Sequence, residues 1–165
     1  QMTSAGQLFL SLPTERPVSH LRSLLRPFAR QQFEYIIFDT SPSVGGLQER
    51  AAWAADLVVV PVATEFSSLD SLKKTIAMLR SLYEDKGWKG GLLGILPTFY
   101  DDQTRESRSS LDDLKRQYHH LVLSPIHRAT VLRECWAEGQ TIFEKDSTCR
   151  AAQEYQSLVD RILRY

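Results

Sequence analysis

Apolar positions along the chain follow two rhythms. Four short runs, Phe33 to Phe38, Leu57 to Val62, Leu92 to Leu96 and His120 to Leu123, are rich in Val, Ile or Leu without clean alternation. Such runs are expected of strands covered on both faces. A weaker fifth, Leu8 to Leu12, would pair at an edge. Between the runs the spacing becomes helical. Leu21, Leu24, Leu25 and Phe28 form one stripe; Leu69, Leu72, Ile76, Leu79 and Leu82 form another, opened by Ser67 and Ser68 as caps. Thr104 is placed to cap a third helix whose inner face is Leu111, Leu114 and Tyr118. A last one begins near Ser147 and buries Ala151, Tyr155, Leu158, Val159 and Ile162. Strands separated by helical stretches of roughly twenty to thirty residues imply right-handed crossovers. The pattern therefore predicts an α/β fold: a doubly wound, mostly parallel sheet with helices on both faces, in a single domain over residues 1–165.

Composition narrows the function classes. Twenty basic and twenty acidic residues cancel among 165, so any nucleic-acid contact has to be local rather than a property of the whole surface. Cys135 and Cys149 match neither a disulfide framework nor a metal spacing, and read as reduced thiols of a cytoplasmic protein. No apolar run approaches membrane-spanning length, so no membrane partner is expected. His119, His120 and His127 lack the spacing of a metal set. Ser41 and Ser43 lack the G-x-S-x-G elbow of a hydrolase nucleophile. Trp53, Trp88 and Trp136 read as packing or interface residues, and Glu65 and Asp70 as acids at a helix start.

The candidate chemistry lies in Tyr35-Ile-Ile-Phe-Asp-Thr-Ser-Pro-Ser43, an apolar run that ends in a carboxylate and then a small-polar and proline turn. An acid delivered to the C-terminal edge of a parallel sheet stands where open α/β folds bind ligands. With Glu34 before it and Val44-Gly45-Gly46 after, this stretch resembles the Walker B segment of the ParA/MinD partition ATPases, which read roughly YDYIIIDTPPSLG. The resemblance continues through Gln48 to Asp56, Leu57-Val-Val-Val-Pro-Val-Ala-Thr-Glu65, Gly94-Ile-Leu-Pro-Thr-Phe-Tyr-Asp101, Thr104-Arg-Glu-Ser-Arg108, and the tail marked by Leu132-Arg-Glu-Cys135, Gly139-Gln140, Ala151-Ala152 and Tyr155. Five such phrases in the family's order carry it from Phe33 to the C-terminus.

The resemblance implies an ATPase that works in chromosome or plasmid partitioning or cargo positioning, through an ATP-dependent homodimer that binds DNA and answers to a ParB-like adaptor. It implies ATP and Mg2+ as cofactors. Asp39 would hold the magnesium shell through water, and Thr40, Ser41, Pro42 and Ser43 would form the switch loop beside the γ-phosphate. Thr98 would stand beside the base, with Pro125, Ile126 and His127 as the other wall. Arg105, Arg108, Arg128 and Arg133 would touch DNA phosphates.

Two departures stand out. The phosphate-binding G-x-x-x-x-G-K-[ST] does not occur in these residues, so the first βα unit is expected to lie upstream of Gln1. Lys89-Gly90-Gly91 imitates its opening letters, but Ile95 occupies the lysine position, and the phrase reads as a turn into a strand. In addition, His127 replaces a family proline and Val131 a family arginine, which removes a phosphate contact and weakens DNA binding. The alternative is a P-loop-less binding or regulatory module without turnover. A receiver domain phosphorylated on Asp39 is disfavoured, because no acidic pair follows the first strand and no lysine the last.

Overall fold

The computed structural model describes residues 17–40, 46–64 and 69–165. The expected strand over residues 8–12 and the caps Ser67 and Ser68 lie outside them. In chain order the elements are α1 (His20–Gln32), α2 (Gly46–Ala54), β1 (Leu57–Ala63), α3 (Leu69–Glu84), β2 (Gly91–Thr98), α4 (Arg105–Tyr118), a 3-10 turn (His119–Leu121), α5 (Thr130–Glu138), α6 (Ile142–Asp146) and α7 (Arg150–Leu163). Each expected helical stripe is matched by a helix. Strands β1 and β2 pair directly, with Gly91 donating to the Asp56 carbonyl at one end (2.9 Å) and Thr64 to the Thr98 carbonyl at the other (3.0 Å). Start meets start and end meets end, so the pair is parallel, and α3 is the crossover that a parallel pair requires.

The chain forms two compact units, Gln1–Val58 with Lys73–Leu92 and Val59–Leu72 with Leu93–Tyr165. In the first, α2 buries Ala51, Ala52 and Ala54, side chains small enough for close approach of backbone to backbone. The Arg22 guanidinium donates to the Ala54 carbonyl (3.1 Å) and to Asp56 (2.5 Å), which ties α1 to the α2–β1 turn. The Trp53 indole donates to the Lys86 carbonyl and the buried Trp88 indole to the Ala55 carbonyl, each at 2.9 Å. These bonds satisfy both indole N–H groups and explain the packing role expected of the two tryptophans. A Cβ on Gly90 would lie 2.5 Å from the Trp88 indole nitrogen and 2.6 Å from the Ala55 carbonyl. Lys89-Gly90-Gly91 is thus a turn whose glycine permits close approach, leading into β2 as expected.

In the second unit β2 is the buried strand, with Leu93, Ile95, Leu96 and Pro97 all enclosed. Thr104 caps α4 by accepting from the Ser107 N–H (3.4 Å), and Leu111 and Leu114 are buried below it. Helices α5, α6 and α7 close a further core of Cys135, Ile142, Ala151 and Ala152, against which Val131, Leu132, Cys149 and Tyr155 pack. Thr141 and Glu144 form a reciprocal capping box at the start of α6. The Glu144 carboxyl is held below its usual range by the Thr141 backbone N–H and hydroxyl.

Two expected strands differ. Phe33 to Phe38 is not a strand. Among the described residues it has no backbone partner, and Ile37 is 91% exposed. An apolar run becomes a buried strand only when a neighbouring strand completes its ladder. His120 to Leu123 is likewise not a strand. His119 adopts φ 49° at the end of α4, the chain tightens into the 3-10 turn, and only Val122 bridges to β2, parallel to Ile95.

Candidate functional site

The carboxyl ends of β1 and β2 and the stretch 122–128 meet in the second unit, the edge where parallel α/β sheets bind ligands. Leu123 donates to the Ile95 carbonyl (2.8 Å), Ile126 to Pro97 (2.9 Å), Tyr100 to Ile126 (3.1 Å) and Arg128 to Tyr100 (2.9 Å). The two prolines shape this ladder. Pro125 has no N–H to give, so Ile126 donates to the Pro97 carbonyl instead, and that skipped residue is matched by an extra one in the partner, Phe99. Phe99 bulges between Thr98 and Tyr100 at φ 52°. Bulges re-aim side chains and gather beside functional sites.

A buried hydroxyl pair fixes the neighbouring helix start. The Thr64 and Ser107 hydroxyls lie 2.7 Å apart, both enclosed. Ser107 Oγ also accepts from the Asp101 N–H (3.0 Å), and Thr64 Oγ1 donates to the Thr98 carbonyl (3.3 Å). The expected base-contact residue Thr98 and the first turn of α4 are therefore joined through two side chains.

On the other side of the edge, His127 is held by α7. Its backbone N–H donates to Glu154 Oε2 (2.8 Å) and its Nδ1 lies 2.6 Å from Glu154 Oε1. Its Nε2 lies 2.5 Å from Arg150 Nη2, and Arg150 Nε donates to Glu154 (2.9 Å). A guanidinium has only donors, so Nε2 is the acceptor and the ring proton sits on Nδ1, given to Glu154. The Tyr100 ring meets the imidazole edge-on, with centroids 4.8 Å apart. Asp102 borders the cluster, 3.6 Å from Arg150. The Gln103 side chain, and after it Arg150 and His127, hold the Asp102 carboxyl below its usual range. Burial, followed by the Glu154 charge, pushes the Tyr155 phenol up.

Glu154 and Arg150 are absent from the sequence expectations. Nothing local marks them, because Glu154 lies 27 residues from His127 in sequence. The only available sign is an acid and a base spaced i, i+4 on the inner turns of α7. Glu154→Ala is expected to cost about 1–3 kcal/mol, since it strands two half-buried N–H donors of His127. Urea unfolding measures this, and Glu154→Gln, which keeps an acceptor, should recover part of the loss.

Thr98, Pro125, Ile126 and His127 are thus brought together at one edge. Arg105 and Arg108 lie exposed on the first turn of α4, and Arg128 and Arg133 are exposed beyond the edge. Val131, which replaces a family arginine, packs against the α5–α7 core, giving that departure a packing reason. Asp39 and Thr40 belong to the first unit and are exposed. Ser41, Pro42 and Ser43 lie outside the described residues. Among the described residues no group of three or more His, Cys, Asp or Glu side chains is placed to hold a metal, and no helix is long and apolar enough to cross a membrane.

A family model described as an AAA domain matches residues 4–89, more than half of the chain. The chain belongs to that family. The match begins well upstream of Phe33, where the recognisable phrases start. Among relatives, the cell division protein PomZ of Myxococcus xanthus is 28% identical over 144 residues, covering 87% of this chain and 45% of PomZ. The sporulation initiation inhibitor protein Soj of Bacillus subtilis is 28% identical over 134 residues, covering 81% of this chain and 53% of Soj. The chain spans about half the length of these relatives. Among solved structures, apo McdA from Cyanothece superposes with a TM-score of 0.78 at 18% identity, over 88% of this chain and 59% of McdA. The cobyrinic acid a,c-diamide synthase of Mycobacterium smegmatis, solved with a bound ATP analogue and magnesium, gives 0.74 at 26% identity, over 97% and 59%. These relatives place this AAA domain in the ParA/MinD-type superfamily of partition ATPases, and its α/β fold with a parallel sheet is theirs.

Proposed function

We propose that these residues act, as one α/β domain, in a ParA-like ATPase that positions a chromosome, plasmid or other cargo through an ATP-dependent homodimer. The observation that carries the reading is the edge itself. In a chain of this superfamily, Thr98 and the stretch Pro125 to His127 converge where a base would sit, and the capped start of α4 presents Arg105 and Arg108 beside it. In this reading Thr98 touches the base, and Pro125, Ile126 and His127 form its second wall, held by Glu154. Thr40 to Ser43 form the switch loop that orients water.

Asp39 fits a magnesium site, because its carboxylate is exposed and a hard cation prefers oxygen while keeping its own waters. Bound Mg2+ would neutralise the nucleotide's phosphate charge. The reading also requires a phosphate-binding G-x-x-x-x-G-K-[ST] loop, to be sought in the gene product beyond these 165 residues. In the dimer, Arg105, Arg108, Arg128 and Arg133 contact DNA phosphates, and a ParB-like adaptor stimulates hydrolysis.

DNA binding by the full gene product tests this. A gel-shift titration should show binding with ATP and little with ADP. Replacing Arg105 and Arg108 together by alanine should weaken it for every sequence and flatten the log–log salt dependence by about 0.9 for each phosphate no longer neutralised. A flat titration at low salt with ATP would reject the DNA-binding part of the reading.

A further inference from the structure

Phe99 stands out at this edge. It is one of two non-glycine residues at positive φ among the described residues, and its side chain is 55% exposed. A bulky L residue rarely adopts this backbone region, and it persists only where the surroundings over-determine it. Here they do. The Thr98 carbonyl before it accepts from the Thr64 N–H and hydroxyl, and Tyr100 after it donates to Ile126 and accepts from Arg128. The two neighbouring residues are thus anchored to opposite flanking segments. A glycine or asparagine would make the same bulge without strain, and an exposed ring gains little burial in return. The bulge therefore serves to hold an apolar ring out at the ligand edge.

We propose that Phe99 is an aromatic platform that stacks on the face of the nucleotide base, a contact that rests on the placement of the base beside Thr98. A phenyl ring has no hydrogen-bonding atom. It therefore supplies stacking to any purine and leaves discrimination of exocyclic groups to the polar atoms around Thr98 and Pro125 to His127. Stacking of this kind is sequence-tolerant because every base presents a π-face.

The test is calorimetric titration of the full gene product with Mg-ATP, Mg-GTP and magnesium tripolyphosphate. Phe99→Ala should weaken ATP and GTP by the same factor, about tenfold, and leave tripolyphosphate unchanged. Phe99→Tyr should bind as the wild type does. Phe99→Leu, which keeps apolar bulk without a ring face, should behave like alanine, and it decides the matter if the alanine variant does not fold. Unchanged ATP affinity in the leucine variant would overturn the proposal, as would an equal loss for tripolyphosphate, which marks a structural role. A wild-type protein that binds neither nucleotide nor tripolyphosphate would instead overturn the ATPase reading beneath it.

Discussion

Replacing Ile95 by alanine is expected to lower the unfolding free energy by about 2–5 kcal/mol. Ile95 has no exposed surface and sits mid-way along β2. There its carbonyl accepts from Leu123 and its backbone bridges to Val122. Collapse around the deleted atoms is restricted. A Cβ on neighbouring Gly94 would already lie 2.6 Å from the Leu121 carbonyl and 2.7 Å from the Leu123 side chain, so the adjacent segment is as close as backbones come. The void remains, and its cost adds to the forfeited transfer free energy. Urea unfolding with an unchanged m-value is the check. A loss under about 1 kcal/mol, the range of a well-tolerated swap, would mean that β2 is not the buried centre of its unit.

The second large effect concerns chemistry. Asp39→Ala is expected to reduce Mg-ATP hydrolysis by the full gene product about 10- to 100-fold, the usual cost of losing a group that orients a metal's shell. Stability should hardly change, because the carboxylate is exposed and surface substitutions usually stay within about 0.5 kcal/mol. Hydrolysis at wild-type rate in this variant would remove Asp39 from the metal site. A matching loss of stability would make its role structural.

Much of the architecture was legible because local signals agreed. Leu57 to Val62 and Leu92 to Leu96 are apolar, short and flanked by turn residues, and both are strands. The stripe Leu111, Leu114 and Tyr118 behind Thr104 marked α4 and its cap together. The phrase around Thr98 and the one around Pro125 were separately recognisable, and the fold sets them side by side.

What stayed hidden depends on partners distant in sequence. Phe33 to Phe38 has a strand's composition, yet no composition says whether a neighbour completes its ladder. His120 to Leu123 is apolar enough for a strand, but the left-handed turn at His119 and the missing N–H of Pro125 leave it one bridge and an irregular ladder. Glu154 and Arg150 declare themselves only when α7 is packed against the edge. The bulge at Phe99 arises from two prolines on different segments, and neither one alone predicts it.

The measurement that bears most directly on the central claim is sedimentation velocity of the full gene product with Mg-ATP and with Mg-ADP. A ParA-like ATPase is expected to sediment as a dimer with ATP and as a monomer with ADP. Identical sedimentation in both nucleotides, with the protein folded, would contradict an ATP-dependent dimer.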